Sequence, residues 1–142
     1  PKRGGALEFQ HRGLNIVKGE IDGDQIAELD SHCRSQKNID TRVRIFQRTE
    51  TKINTKYVLS FSAAKRSGEG KLEVKIRGFG QGTKMLIAIP YNTELKSNEL
   101  TKYEIPFISR HYVTEISFED TDKDGKKSFG ILLDNIQLRL AE

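Results

Sequence analysis

Between Arg42 and Arg48 the chain reads Arg-Val-Arg-Ile-Phe-Gln-Arg. In a β-strand this order sends Val43, Ile45 and Gln47 to one side and Arg44, Phe46 and Arg48 to the other, which makes one face cationic around an aromatic centre. The planar fork of a guanidinium suits carboxylates and sulfates, so such a face can hold an oxyanion. Lys75 and Arg77 share the polar side of a second alternating run, Leu-Glu-Val-Lys-Ile-Arg, at 72–77. If the two runs lie in one sheet, their outer faces join into a basic patch. The alternative is that Phe46 caps a small second cluster while the arginines are merely solvated.

Other chemistry-bearing patterns fall short. Gly78-Phe-Gly-Gln-Gly-Thr-Lys84 has the composition of a phosphate loop in the wrong order, and a strand pattern follows where a helix is needed. Asp120-Thr-Asp-Lys-Asp-Gly125 opens like an EF-hand loop, but its twelfth position is Ile131 where the bidentate Glu belongs. It reads as an acidic turn between strands, with a calcium-binding loop as the alternative. His11, His32 and His111 are scattered, and none lies in a metalloprotease or nucleophile-elbow setting. No pair of carboxylates is singled out by spacing, so an enzyme is not expected.

The 142 residues make one domain of 16.2 kDa, with 35% hydrophobic and 31% charged residues, the composition of a water-soluble globular chain. The apolar runs at 85–90 and 131–133 are far too short to cross a bilayer. The opening Pro-Lys-Arg-Gly-Gly carries no apolar signal segment, and a first residue other than methionine points to a processed product or an excised domain. Cys33 is the only cysteine, which excludes an internal disulfide and a multi-cysteine zinc site. The net charge of +4 conceals an asymmetry: positions 34–77 hold twelve Lys and Arg against four acids. That basic centre can attract an anionic partner.

The elements that must position these residues are strands. Period-two alternation dominates, broken by clusters of Gly, Asn, Asp and Ser. Strands are expected at 7–10, 25–29, 43–48, 56–64, 72–77, 85–91, 102–107, 113–119 and 131–140, about nine at the spacing of an all-β, two-sheet antiparallel sandwich. Tyr57, Leu59 and Phe61 face one core, as do Leu72, Val74 and Ile76. The glycine and aspartate clusters at 66–70, 78–82 and 121–125 are expected to close hairpins.

Three stretches carry a resemblance. They are Asp-Gly-Asp-Gln-Ile-Ala-Glu-Leu-Asp-Ser at 22–31, Ile-Phe-Gln-Arg-Thr-Glu-Thr at 45–51 with Lys-Tyr-Val-Leu-Ser-Phe at 56–61, and Gly-Ile-Leu-Leu-Asp-Asn-Ile-Gln-Leu at 130–138. Together and in this order they resemble the galactose-binding-like jelly-roll domains that serve as carbohydrate-binding modules in secreted bacterial enzymes and adhesins. The resemblance implies a jelly roll, a glycan ligand, a secreted or cell-surface location, and a structural calcium ion near the two chain ends. Asp134, Asp30 and Glu8 are its candidate metal ligands. It also implies that Asp134-Asn135 turns into the last strand. The chain has no tryptophan, so sugar stacking must fall to Tyr and Phe, with Arg and hydrogen bonds beside them.

The expected function is therefore a non-catalytic glycan-binding module for adhesion or substrate targeting, with acidic glycans as the sharper version. Arg44, Arg48, Lys75 and Arg77 would meet carboxylates or sulfates, and Phe46, Tyr91 or Tyr112 would pack on a sugar face. His32, Arg66, Asn92 and His111 are loop candidates. Changing Arg44 and Arg48 together to alanine should then abolish acidic-glycan binding and leave the melting temperature unchanged. The alternative is a structural or assembly domain of a larger surface protein making protein contacts. Nucleic acid is disfavoured, because no recognition helix or RNP-like aromatic motif accompanies the basic centre.

Overall fold

The structure, a computed structural model, describes residues 8–11, 25–29, 44–65, 71–79, 85–95, 99–120 and 131–142. They contain β1 (Glu8–His11), β2 (Gln25–Glu28), β3 (Arg44–Glu50), β4 (Thr55–Lys65), β5 (Lys71–Phe79), β6 (Met85–Glu94), β7 (Thr101–Ser109), β8 (Val113–Asp120) and β9 (Ile131–Leu140). Two antiparallel sheets result, in the orders β1-β2-β9-β4-β7 and β3-β8-β5-β6. Every expected strand is present, and β9 has the expected bounds.

Alternation explains the core. β4 turns Tyr57, Leu59, Phe61 and Ala63 inward, and β5 and β8 answer with Leu72, Val74, Ile76, Ile116 and Phe118, all buried. Phe61 joins the layers: its ring meets Phe118 of the other sheet edge-on at 5.1 Å and stacks on Tyr103 of its own sheet at 5.5 Å.

Two of the expected hairpins are something else. β4 and β5 lie in different sheets, and so do β8 and β9, so the links at 66–70 and 121–130 cross from one layer to the other. Of the three, only the β5–β6 link joins hydrogen-bonded neighbours. Turn-forming residues permit a change of direction, but they do not choose the strand that the chain pairs with next. The turn residues at 66–70, 80–84 and 121–125 themselves lie outside the described residues.

Asp134 and Asn135 do not precede the last strand; they lie within it. Ser62 of β4 pairs with Asp134 and Ser60 with Gln137, so β9 carries one extra residue, and Asn135 takes a left-handed φ of 48°. This is a β-bulge, and asparagine tolerates that conformation better than most residues. The extra residue exchanges the two faces of β9: Leu133 pairs with Ala63 before it and Leu138 with Leu59 after it, both on the core side.

Gly78, expected to begin a hairpin, is a strand residue paired with Thr114 and Ile87. A Cβ there would come within 2.0 Å of His111 Cδ2, because the Cδ2 edge of the imidazole points at the glycine. Gly78→Ala is expected to destabilise the fold by roughly 1–3 kcal/mol through this overpacking. In a His111→Ala background the same change should be nearly neutral. Thermal melts of the four proteins decide, and an equal cost in both backgrounds would remove the steric account.

Candidate functional site

β3 and β5 do share a sheet, but β8 runs between them. The register sets three rows across the outer face: Arg44 beside Glu119 and Glu73, Phe46 beside Ser117 and Lys75, Arg48 beside Glu115 and Arg77. Four cations are therefore interleaved with three carboxylates, and the face is not the purely basic surface that β3 and β5 suggest alone.

Glu115 is the hub. Its side chain is only 4% exposed, although it points away from the core. Arg44 Nη2 donates to Oε1 at 2.6 Å and Arg48 Nε donates to Oε2 at 3.1 Å, so each carboxylate oxygen has a cationic donor. These two charge-assisted bonds offset the cost of burying the carboxylate. They also fix the guanidiniums around Phe46: the Arg44 Cζ lies 4.9 Å from the ring centroid and the Arg48 Cζ lies 6.0 Å from it. The ring itself remains 56% exposed. Lys75 Nζ is held by Glu73 at 3.0 Å.

The double arginine change therefore has a different expected outcome. Removing Arg44 and Arg48 leaves the buried Glu115 carboxylate without these donors, so the melting temperature falls along with any binding.

Arg77 stands beside Glu115 in the register, yet its Nε is buried and has no hydrogen-bond partner.

The remaining sequence candidates divide. His111 belongs to the inside of the sandwich end and not to this face. The Cδ2 edge of its ring meets Gly78, its Nε2 is buried without a partner, and its carbonyl accepts from Thr51 Oγ1 at 2.7 Å. Thr51, Ser109 and Thr114 form a hydroxyl cluster there, with Oγ contacts of 2.9 Å. Tyr112 is exposed at the same end, where its carbonyl accepts from Thr51 N–H. Tyr91 pairs with Val74, and Asn92 pairs with Glu73. His32, Arg66 and Asp30 lie outside the described residues. Glu8 pairs with Glu28 across the β1–β2 ladder, and Asp134 lies at the bulge. No cluster of three or more metal-ligating side chains occurs among the described residues. No helix among them is long and apolar enough to cross a membrane.

A concavity of about 470 Å³ opens between β3 and the β4–β9 pair. Its lining is largely aliphatic and aromatic, with Glu50 as the charged member. The β3–β8–β5 face has what polyhydroxylated ligands need: an open ring for an apolar patch, and planar donors and acceptors held at fixed positions beside it.

The two facing antiparallel sheets define a jelly-roll β-sandwich, and solved structures share this fold. A family 61 carbohydrate-binding module, TmCBM61, solved with beta-1,4-galactotriose, is similar with a TM-score of 0.67 at 14% identity, over 96% of this chain and 83% of that one. A Family 16 Carbohydrate Binding Module-2 is similar with a TM-score of 0.60 at 15% identity, over 83% and 78%. The enzymatically active domain of tailspike protein 4 from Bacteriophage CBA120 gives 0.70 at 16% identity; the match covers 96% of this chain but only 18% of that one. No curated protein matches the chain in sequence. The chain belongs to the DUF642 family, described as a protein of unknown function, whose model matches residues 16–139.

Proposed function

We propose that this domain is a non-catalytic glycan-binding module of a secreted or cell-surface protein, serving adhesion or substrate targeting, and that its outer β3–β8–β5 face prefers acidic glycans. The observation that carries this reading is the exposed Phe46 ring flanked by two guanidiniums that Glu115 locks in place. A sugar's apolar face packs on the ring while its hydroxyls meet the fixed donors. Carbohydrate-binding modules of the same fold, one of them solved with a galactose trisaccharide, support the ligand class.

The test is a glycan array run at low and moderate salt, with calcium and with chelator. Binding to uronic, sialylated or sulfated glycans that weakens with salt is the expected pattern. A loss of binding or of melting temperature in chelator would establish the structural calcium implied by the family resemblance. Phe46→Ala should lower affinity by roughly ten- to a hundred-fold, the worth of one buried aromatic side chain, with an unchanged melting temperature because the ring is exposed. Unchanged affinity in isothermal titration would remove this face from the account.

The second reading is an assembly domain making protein contacts. It is favoured by exposed Ile53, Ile108, Tyr112 and Leu140. A blank array from folded protein would select it.

A further inference from the structure

Resting on the glycan-binding reading, we infer that Arg77 alone provides the anion-selective contact of this face, while Arg44 and Arg48 build the sugar platform. The two β3 arginines look like the obvious anion grip, yet each already spends a donor on the same buried carboxylate. Both are ion-paired to Glu115, which offsets one of their two charges, and Lys75 is ion-paired to Glu73. Arg77 differs from all three. It is the outward cation of these rows with no ion pair among the described residues, and its Nε is removed from water without a hydrogen bond.

A guanidinium without an intramolecular carboxylate keeps its charge available to a ligand. A carboxylate or sulfate oxygen of a glycan accepts from that guanidinium with full charge assistance and without competition from an intramolecular acid. Lys75 lies two residues away on the same side of β5, in the row of Phe46, so an anionic substituent at Arg77 belongs to a sugar that reaches across from the ring. Glu115 pairs in register with both Arg48 and Arg77 but is held by the two β3 arginines, so Arg77 is the one of the four cations with no carboxylate bonded to it among the described residues.

The experiment measures affinities for matched glycan pairs that differ only in charge. They are beta-1,4-galactotriose against the same trisaccharide oxidised to carboxylates at C6, and a neutral galactan oligomer against its sulfate ester. Wild-type protein, Arg77→Gln, Arg77→Lys and Arg48→Gln are compared after melting curves confirm folding. Arg77→Gln is expected to cut the acidic-over-neutral preference by about ten-fold or more while leaving neutral-glycan affinity within about two-fold. Arg77→Lys, which keeps the charge but lacks the planar guanidinium fork, should fall between. Arg48→Gln should weaken both members of a pair to a similar degree, leaving their ratio. A preference that survives Arg77→Gln but collapses in Arg48→Gln overturns the assignment and leaves the glycan-binding reading standing. Failure of wild-type protein to bind either member of any pair overturns the glycan-binding reading and this assignment with it.

Discussion

Glu115→Ala is expected to lower the melting temperature by about 7 °C and to weaken glycan binding at the same time. Two donors, Arg44 Nη2 and Arg48 Nε, lose their acceptor, and the vacated volume lies beneath the long side chains of β3. Breaking a fully buried ion pair costs about 3–5 kcal/mol, but the Arg44 side chain is 28% exposed and that of Arg48 is 59% exposed. Water reaches both cations in the mutant, which reduces the cost to roughly 2 kcal/mol. For a domain of this length that corresponds to the stated shift. Glu115→Gln should cost less, since its amide oxygen still accepts from one guanidinium while its amide nitrogen faces the other. The coupling of stability to binding is the distinctive expectation: Glu115 touches no ligand in this account, yet without it the guanidiniums around Phe46 lose their fixed positions. Denaturation and titration of the same two variants test it. A Glu115→Ala protein that binds as tightly as wild type would show that the platform needs no preorganisation.

The largest effect on stability alone is expected from Phe61→Ala, at about 3–5 kcal/mol, which for this chain exceeds 10 °C in melting temperature. Phe61 is 1% exposed and contributes the edge-on contact with Phe118 that ties the two sheets, besides its stack on Tyr103. Its removal takes away buried area, the aromatic pair terms and the filler of the inter-sheet space together. Phe61→Leu should recover about half of the loss. Urea denaturation checks both, and a Phe61→Ala cost below about 1 kcal/mol would mean that the layers are held elsewhere.

The strands were legible because their signal is local. Residues 56–64 alternate so regularly that Tyr57, Leu59 and Phe61 could be assigned to the core from sequence, and all three are buried. The pairing of strands was not legible. Arg66-Ser-Gly-Glu-Gly70 suits a tight reversal, but nothing within it states that β5 belongs to the opposite layer. The same limit hid Glu115, which lies 71 and 67 residues from the arginines it binds. A signal did exist: the 113–119 alternation puts Glu115, Ser117 and Glu119 on one side, the complement of Arg44, Phe46 and Arg48 on an antiparallel neighbour. Two sheet orders fit the basic runs, and only long-range charge matching distinguishes them. The placement of His111 was not legible for a related reason, since its inward orientation depends on a glycine 33 residues earlier that leaves room for its ring.

The bulge at Asn135 gives the last strand a reading frame. Five residues of β9 separate Leu133 from Leu138 where four of β4 separate Ala63 from Leu59. Shortening β9 by one residue there would preserve every ladder partner's chemistry in composition and invert it in space. Ile136, Leu138 and Leu140 would rotate outward, and Gln137 and Arg139 would rotate into the core. The Asp134-Asn135 pair is, on this geometry, a punctuation mark, and the second half of the strand is spelled on the assumption that it is there.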